Sequence, residues 1–425
     1  MMNMMKAFAV KIILVALLAG PVRAQSAETN ANTSKTEKYR LVWFEDPATT
    51  ATFVWNQLGG EPAVLHYGPK NFDRKASEYP EKKKADRVVE FDGMTNCMVT
   101  LRDLKPDSWY FMVLSDDFGV SRRFYFRTAP DKPQPLTFIA GGDSRNFRDV
   151  RQDANRMCRK LQPLFVAFTG DMINRDNAIE WDEWLDDWQL TTSENGRLLP
   201  IVPHRGNHEA RAASIPSHFG MPDDSYAAFN VGGNLLRYYV LNSQIPADGS
   251  QGDWFKSDLV ENAKGVTHLV AGYHKPMRPH TSGKSLGQNS YKWAELFYAA
   301  GFDLVLESDS HVMKRTLPVK PDADSPGGFK AAIGDPNATI YVGEGCWGAP
   351  LRRADVNYPW TVDRASFNGF DWILVTPEAI FDKTVKVEKV SSLGEVDLKD
   401  PFKDPEGLTL WKPEGGDEVL EIPAD

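Results

Sequence analysis

From residue 136 onwards, short apolar runs alternate with amphipathic stretches. The apolar runs predict strands and the amphipathic stretches predict helices, and repeated strand–helix units of this kind indicate an α/β domain. The predicted strands are Leu136–Ala140, Leu164–Phe168, Leu199–Pro203, Leu235–Leu241, His268–Gly272, Phe302–Leu306, Thr339–Val342 and Trp372–Val375. The predicted helices are Arg148–Leu161, Ile179–Leu190, Trp254–Ala263 and Tyr291–Ala300.

Several of these strands end in a polar residue of the kind that binds metal ions. The strand ends read Gly142-Asp143, Gly170-Asp171, Gly206-Asn207-His208-Glu209, Gly272-Tyr273-His274 and Ser308-Asp309-Ser310-His311. Seven of the eight histidines fall between residues 204 and 311. A single histidine is more often a core or surface residue than a ligand, but carboxyl ends of strands are where α/β sites assemble. The pattern therefore predicts a metal site at one edge of the sheet.

The chain before residue 131 has a different sequence pattern. Seven short alternating strands lie between turn residues in the range 38–130, which suggests an antiparallel β-sandwich. The segment 101–128 resembles the second half of a fibronectin type III domain. The proline-rich stretch 129–135 marks a domain boundary. Residues 131–390 then form the predicted α/β domain with the metal site, and residues 391–425, charged and rich in Pro and Gly, are predicted to be a loosely packed tail.

Residues 1–24 have the layout of a secretory signal peptide. Lys6 and Lys11 precede or border an apolar run at 12–19, and Val22 and Ala24 are small residues at positions −3 and −1 of a cleavage point. The run is shorter than the ~20 residues that span a bilayer, so a membrane anchor is disfavoured. Residues 25–37 are polar and predict a flexible tether. We therefore expect a periplasmic or secreted protein without a membrane span after cleavage.

Charge and cysteine content exclude some classes of function. The formal net charge is −9. Loss of residues 1–24 makes it more negative, which argues against a broad nucleic-acid-binding surface. Three cysteines, Cys97, Cys158 and Cys346, cannot build a disulfide framework and are expected to be buried thiols. A metalloprotease is poorly supported, since the chain lacks a His-Glu-x-x-His helix. The oligomeric state stays open.

In order and spacing, the strand-end motifs resemble the calcineurin-like metallophosphoesterase family, with Gly-Asn-His-Glu as the most specific element. With the β-rich region in front, residues 39–385 look like the purple acid phosphatase branch of that family or its bacterial relatives. The resemblance implies an α/β fold, a four-layer αββα sandwich, preceded by an all-β fibronectin III-like sandwich. It also implies two metal ions at one edge of the sandwich.

The resemblance implies a specific set of ligands and a reaction. Metal one would be held by Asp143, Asp171 and His311, and metal two by Asp171, Asn207, His274 and Asp309, with Asp171 bridging. Oxygen and imidazole ligands suit Mn, Fe, Zn or Mg. The implied activity is hydrolysis of small-molecule phosphate esters by a metal-bridging hydroxide, with phosphomonoesters favoured. A phosphodiesterase of the same fold and a non-catalytic surface-binding relic are the alternatives.

Three residues are predicted to act on the substrate. His208 would protonate the leaving group or stabilise phosphoryl oxygens. Arg145 would hold phosphate oxygens in a bidentate contact, or else form a surface salt bridge. His280 would be a second proton donor in the pocket, or else lie on a loop in solvent. Trp181, Trp184 and Trp188 share one helix face, and core packing is favoured there over substrate stacking.

The chain departs from the family pattern at three positions. Asn174 stands where purple members have the tyrosine that gives the iron its colour, so no purple colour is expected. Arg145 stands where many other members have a histidine. Asp309 replaces the first histidine of the usual Gly-His-x-His element. Aspartate is a sound ligand for Mn, Zn or Mg, so the change predicts a retuned site and not a lost one.

Overall fold

The computed structural model describes residues 33–424, so the predicted signal peptide and residues 25–32 of the predicted tether lie outside the described residues. The first part of the chain consists of strands. They are β1 (Thr36–Val42), β2 (Ala51–Gln57), β3 (Val64–Gly68), β4 (Glu81–Lys83), β5 (Arg87–Phe91), β6 (Met94–Leu101), β7 (Trp109–Asp116), β8 (Gly119–Val120) and β9 (Phe124–Arg127).

The second part alternates strands and helices before it ends in strands. Its strands are β10 (Leu136–Gly141), β11 (Phe165–Phe168), β12 (Pro200–Pro203), β13 (Ala227–Val231), β14 (Leu236–Val240), β15 (His268–Gly272), β16 (Leu304–Glu307), β17 (Met313–Thr316), β18 (Val319–Pro321), β19 (Phe329–Ala331), β20 (Ile340–Gly343), β21 (Thr361–Ala365), β22 (Gly369–Val375), β23 (Ala379–Lys386) and β24 (Val419–Pro423). Its α-helices are α1 (Arg148–Leu161), α2 (Ala178–Trp188), α3 (Ser214–Phe219), α4 (Ser250–Asn262) and α5 (Ala294–Ala300). Short 3₁₀ turns occupy Ala76–Glu78, Gln189–Thr191, Ser290–Trp293, Pro326–Gly328 and Val390–Ser392.

Two large sheets organise residues 33–424. The first has the strand order β24-β23-β22-β10-β11-β12-β1-β2-β6-β5, and the second the order β13-β14-β15-β16-β20-β17-β21. In the first sheet β10, β11 and β12 are parallel, and in the second β14, β15, β16 and β20 are parallel. Parallel strands with helical crossovers carry their loops at the same edge, and the predicted ligands lie on those loops.

The two sheets pack face to face, and helices cover their outer faces. Phe165 of β11 packs on Tyr238 of the second sheet, with ring centroids 6.0 Å apart, whereas Phe168 packs on Trp184 of α2 at 5.5 Å. On the other side of the second sheet, Tyr239 packs on Phe255 of α4. Since neighbouring residues of a strand point to opposite faces, these contacts define four layers. The predicted α/β sandwich with an N-terminal β-rich region is confirmed.

The first sheet continues across the predicted domain boundary. β1 pairs with β12 in parallel, with Leu41 opposite Pro200 and Val42 opposite Ile201. One core cluster contains residues from both sides of the boundary, such as Phe53 and Phe124 with Phe165 and Trp184. β1 begins at Thr36, so the predicted tether extends too far at its end, because pairing with β2 orders these residues. The division at residue 130 and the fibronectin III likeness stay predictions.

The predicted loosely packed tail is wrong for much of its length. β24 pairs with β23 and closes the edge of the first sheet. Leu393, Val396, Trp411 and Ile422 are all buried. The Pro- and Gly-rich composition predicted loose packing, but it reflects tight turns between the few apolar residues that dock on the sheet.

Two predictions about bulky and reactive side chains are confirmed. Trp181, Trp184 and Trp188 are buried in the core, and the rings of Trp184 and Trp188 stack 5.4 Å apart. The three cysteines are free and buried. Separately, the helices found in the described residues are all too short or too polar to cross a lipid bilayer.

Two strands of the first sheet carry a pair of buried carboxyl groups. Asp371 of β22 and Asp382 of β23 are both buried, and within residues 33–424 both Asp382 oxygens lack a hydrogen-bond partner. Burial raises the pKa of Asp371, and the charge of Asp382 raises it further. Burial also raises the pKa of Asp382, although Arg315, 3.7 Å away, opposes the change. At a pH between the ordinary aspartate pKa and these raised values, the folded protein therefore keeps protons on the two carboxyl groups that the unfolded chain releases.

We expect this pair to make the protein less stable above about pH 6 than near pH 4. A raised folded-state pKa gives stability that is present below the ordinary aspartate pKa and lost as the pH rises through the folded value. Each unit by which the pKa in the folded state exceeds that in the unfolded state changes the free energy of unfolding by about 1.4 kcal/mol. Asp382→Asn should thus match the wild type near pH 4 and be more stable at pH 8 by ~1–3 kcal/mol in urea unfolding. The exposed Asp404→Asn is the control, and an unchanged pH dependence in Asp382→Asn would contradict the assignment.

Candidate metal centre

The predicted ligands lie in the loops that follow five parallel strands. Asp143 follows β10, Asp171 follows β11, and Asn207 follows β12 in the first sheet. In the second sheet His274 follows β15, and Asp309 and His311 follow β16. Asp143, Asp171, Asp309 and His311 have φ values of 58°, 55°, 71° and 55°, which is the left-handed region. Non-glycine residues occupy this region rarely, and such strained positions cluster at functional sites.

One group of side chains consists of Asp143, Asp171 and His311. All three are buried, and one ligand atom from each lies within 4.8 Å of the others. His311 Nε2 is 3.1 Å from Asp143 Oδ1. The backbone N–H of Asp309 donates to Asp143 Oδ2 at 2.7 Å and orients that carboxylate. This group matches the ligand set predicted for metal one.

A second group shares Asp171 with the first and adds His274 and Asp309, again within 4.8 Å. His274 Nε2 lies 3.2 Å from Asp171 Oδ1 and 3.4 Å from Asp309 Oδ1. Asn207 Oδ1 is 3.2 Å from the same nitrogen. The structure thus brings together the four residues predicted for metal two, with Asp171 common to both groups.

Backbone contacts fix which nitrogen each histidine offers. His274 Nδ1 lies 2.9 Å from the carbonyl oxygen of Thr169, and His311 Nδ1 lies 2.7 Å from that of Pro350. A carbonyl only accepts, so Nδ1 carries the proton and donates it. Nε2 of each ring is then directed into the cluster, which is the nitrogen that would bind a metal ion there.

Glu209 and two glycines shape the turns around the cluster. The buried Glu209 carboxylate accepts hydrogen bonds from the backbone N–H groups of Asp171, Met172 and Gly206 at 2.7–3.0 Å. A Cβ at Gly206 would lie 2.3 Å from Asp171 Oδ1, and a Cβ at Gly345 would lie 1.8 Å from Asp143 Oδ2. Only glycine fits at these two places, which explains the glycine of the Gly-Asn-His-Glu motif.

The electrostatics of the cluster favour positive charge. Burial tends to lower the pKa of His274, but the charges of Asp171 and Asp143 raise it well above its usual range. Burial tends to raise the pKa of Asp309, but hydrogen bonding to His274 and the charges of His274 and Lys284 hold it well below its usual range. Buried carboxylates that raise the pKa of His274 in this way are also a strong site for cations.

The donor set fits the divalent metal ions that the resemblance to the phosphoesterase family implies. Ligand atoms about 2.1 Å from one ion lie up to ~4.2 Å apart, and the distances of 3.1–3.4 Å found here agree with that. Within residues 33–424, Asp143 Oδ1 and Asp171 Oδ2 are buried without a hydrogen-bond partner. A buried carboxylate oxygen without a hydrogen-bond partner is unfavourable, so a bound ligand is expected there. A metal ion at each group would satisfy them.

Two of the three predicted catalytic residues lie at this cluster. His208 Nδ1 donates to the carbonyl oxygen of Asn174 at 2.6 Å, which leaves Nε2 facing the cluster 3.7 Å from Asp171 Oδ2. The His208 side chain is 25% exposed. Arg145 is buried, with Nε 3.4 Å from Asp171 Oδ2 and Nη2 3.2 Å from His311 Nε2. A surface salt bridge, one alternative for Arg145, is therefore wrong.

His280 does not belong to the cluster. It is completely buried, with Nδ1 3.1 Å from Glu344 Oε1 and Nε2 2.8 Å from Thr361 Oγ1. With both ring nitrogens engaged and no access to solvent, it cannot exchange a proton with a substrate. Both readings of His280 are therefore wrong, the pocket donor and the solvent-exposed loop residue. Sequence distance from His274 could not reveal which way its ring points.

Two further cations lie at the cluster, and no motif marks them in the sequence. Lys284, in the loop after β15, forms an ion pair with Asp309 Oδ1. Arg352 Nη1 donates to the backbone oxygen of Asp309 at 3.0 Å. Burial lowers the pKa of Arg352, and the groups whose charges act on it are Asp309, Asp143, Arg145 and Asp171. Its guanidinium therefore lies in the field of the whole cluster.

Comparison with known proteins finds similar sequences for part of this chain. A sequence model of the family described as calcineurin-like phosphoesterase matches residues 132–313. Two uncharacterized proteins of Mycobacterium tuberculosis, from strains CDC 1551 / Oshkosh and ATCC 25618 / H37Rv, are each 23% identical over 273 residues. The match covers 52% of this chain and 50% of each relative, so the chain spans about half the length of the curated relatives it matches.

Solved structures share the fold. Purple acid phosphatase PPD1 isolated from yellow lupin (Lupinus luteus) seeds superposes with a TM-score of 0.67 at 14% identity, covering 88% of this chain and 76% of that one. PhoD superposes with a TM-score of 0.60 at 11% identity, covering 92% of both chains. Residues 132–313 therefore match the calcineurin-like phosphoesterase family model, and the chain shares its fold with a purple acid phosphatase and with PhoD.

Proposed function

We propose that the protein is an exported dinuclear-metal phosphoesterase that hydrolyses phosphate esters of small molecules and prefers monoesters. One observation carries the proposal: two buried ligand groups share Asp171, and a partly exposed histidine, His208, faces them. A shared carboxylate is how a protein holds two cations ~3.5–4 Å apart, the arrangement of two-metal phosphatases. Export rests on the signal-like residues 1–24 and places the enzyme in the periplasm or outside the cell.

The ligand assignment follows the two groups. Asp143, Asp171 and His311 would hold metal one, and Asp171, Asn207, His274 and Asp309 would hold metal two. Bound there, the ions would supply an activated water and neutralise charge on the phosphoryl group. Mn, Fe, Zn and Mg are the candidates for this oxygen-rich set. Asn174 Oδ1 accepts a hydrogen bond from Arg145 Nη1 at 2.9 Å, so we do not count Asn174 among the ligands.

His208 and Arg145 would act on the substrate itself. A water oxygen attacks phosphorus, the ester bond to the leaving oxygen breaks, and that oxygen needs a proton. In its imidazolium form His208 would carry a second proton on Nε2 and could supply it to the leaving oxygen, because Nδ1–H is held by the Asn174 carbonyl and the ring is partly exposed to solvent. Arg145 presents its guanidinium beside Asp171 and His311 and would pair with the phosphoryl oxygens.

The experiment is a panel of phosphomonoesters and phosphodiesters assayed after metal removal and reloading with Mn, Zn, Fe or Mg separately. We expect hydrolysis that disappears with the metal, returns on reloading and is faster for monoesters. Elemental analysis of the loaded protein should find two metals per chain. Faster cleavage of diesters would favour the phosphodiesterase alternative. A folded protein that binds no stoichiometric metal and cleaves no ester would identify the non-catalytic relic and overturn the proposal.

A further inference from the structure

Three cations from three different loops converge on Asp309 and its neighbours. Arg145 follows β10, Lys284 follows β15, and Arg352 follows β20. Arg145 contacts Asp171 and His311, whereas Lys284 and Arg352 both contact Asp309, one through the carboxylate and one through the backbone oxygen. We call Arg145, Lys284 and Arg352 the cation triad.

The loops of Lys284 and Arg352 are packed against each other. A Cβ at Gly283 would lie 3.1 Å from Arg352 Cδ, so the Arg352 side chain runs directly past the residue before Lys284. The Arg352 backbone N–H also donates to the oxygen of His311 at 3.1 Å. These contacts hold the two cations on the same side of the candidate metal centre, next to Asp309.

Each of these two cations retains donors for a ligand. A lysine ammonium has three N–H donors and an arginine guanidinium five. Lys284 uses one contact on Asp309, and its side chain is 21% exposed. Arg352 uses Nη1 on the Asp309 oxygen.

The formal charges around the candidate metal centre indicate the role of the cation triad. Asp143, Asp171 and Asp309 carry three negative charges, and the triad carries three positive charges, so the two sets balance without any metal. Divalent ions at the two groups would leave the site strongly positive. The difference between a dianion and a monoanion then becomes large, because Coulomb attraction scales with ligand charge. A phosphate monoester is close to a dianion above pH ~6, whereas a diester carries one charge.

We propose that Lys284 and Arg352 are specificity-determining residues that, with Arg145, select the dianionic phosphate group of monoesters over the monoanionic group of diesters. This inference rests on the proposed phosphoesterase function and deepens it. The terminal oxygens of a monoester would accept hydrogen bonds from Lys284 Nζ and the free guanidinium nitrogens of Arg352. A diester lacks one of those charged oxygens and gains less from the triad.

The test uses Lys284→Met and Arg352→Met in the metal-loaded full chain, with Arg353→Met as the matched control. Arg353 is exposed, adjacent in sequence, and makes no side-chain hydrogen bond or ion pair among residues 33–424. The substrates are phenyl phosphate and methyl phenyl phosphate, which share a leaving group and differ in charge. Inorganic phosphate is the binding probe, measured by titration calorimetry, and metal content is measured by elemental analysis.

We expect Lys284→Met and Arg352→Met each to weaken phosphate binding by ~10–100-fold, the usual effect of a lost charge-assisted hydrogen bond. The kcat/KM for phenyl phosphate should fall by the same factor, while that for methyl phenyl phosphate changes about threefold or less. Metal content should stay at the wild-type level, Lys284→Arg should recover part of the loss, and Arg353→Met should behave as wild type.

Three results would overturn the inference. Equal losses of kcat/KM on the two esters would show that the triad does not discriminate between a dianion and a monoanion. Loss of metal in Lys284→Met would show that Lys284 only positions Asp309. Unchanged phosphate affinity in both variants would show that neither residue touches the anion. A failure of the proposed function is distinguishable, because the wild type would then hydrolyse neither ester while phosphate affinity still reports on the triad.

Discussion

Asp171→Ala is expected to abolish metal binding and turnover together. Asp171 is the one residue common to both ligand groups, and its two oxygens face different partners, Oδ1 towards His274 and Oδ2 towards Arg145 and His208. Metal catalysis of this kind is worth several kcal/mol, so the loss in turnover should be ~10³-fold or more. The measurements are metal content per chain by elemental analysis and kcat/KM on a phosphomonoester.

Two variants make this result specific. Asp171→Asn keeps the side-chain shape and the hydrogen bond that Oδ1 accepts from the His208 backbone N–H at 2.8 Å, so it should fold even if the alanine variant does not. Asp176→Asn is the control, because Asp176 bonds to Arg211, Ser214 and Trp181 away from the cluster. Two tightly held metals in Asp171→Ala would show that Asp171 does not bridge.

His208→Ala is expected to slow the enzyme by an amount that depends on the leaving group. General acid catalysis typically contributes ~10²–10⁴-fold, but only where the leaving oxygen needs a proton. An alkyl phosphate should therefore lose about that factor, and nitrophenyl phosphate much less. Metal content should stay near wild type, since His208 lies outside both candidate ligand groups and Asn207 is the ligand that we propose in this turn.

The outcome separates three roles of His208. Equal losses on the two substrates would indicate stabilisation of the phosphoryl oxygens, because that charge develops whatever the leaving group is. Loss of metal would show that His208 is itself a ligand. His66→Ala, which removes a half-buried histidine bonded to Ser115 in the N-terminal region, should change none of these measurements.

Strand and helix positions in the α/β part were largely readable from the sequence. The predicted helix Arg148–Leu161 and the predicted strand His268–Gly272 match α1 and β15 residue for residue. Both have strong periodicity and clear flanking turns, so local pattern and tertiary packing agree. Short strands such as β4, β8, β18 and β19 were not predicted, because two or three residues carry too little pattern to stand out from a turn.

Segments that pair over long distances were predicted less well. Nothing local in residues 36–42 indicates that β1 would add in parallel to β12, more than 150 residues later. The same holds for β24, whose docking on β23 turned the predicted loose tail into a sheet edge. Long-range pairing depends on which edge is left open after the other strands have assembled, and that is a property of the whole fold.

The residues of the candidate site also fall into two groups, those predicted from the sequence and those that only the structure revealed. Asp143, Asp171, Asn207, His274, Asp309 and His311 were identified from short motifs at strand ends, because a parallel sheet brings the ends of distant strands to one edge. Side-chain direction and long-range neighbours decided the remainder: His280 turns inward to Glu344, Arg145 turns into the cluster, and Lys284 and Arg352 reach Asp309 from loops without a motif. The sequence by itself thus determined the ligand types and their order along the chain. Only the tertiary structure decided which cations share their space, because loop packing, unlike strand ends, follows no period that a sequence displays.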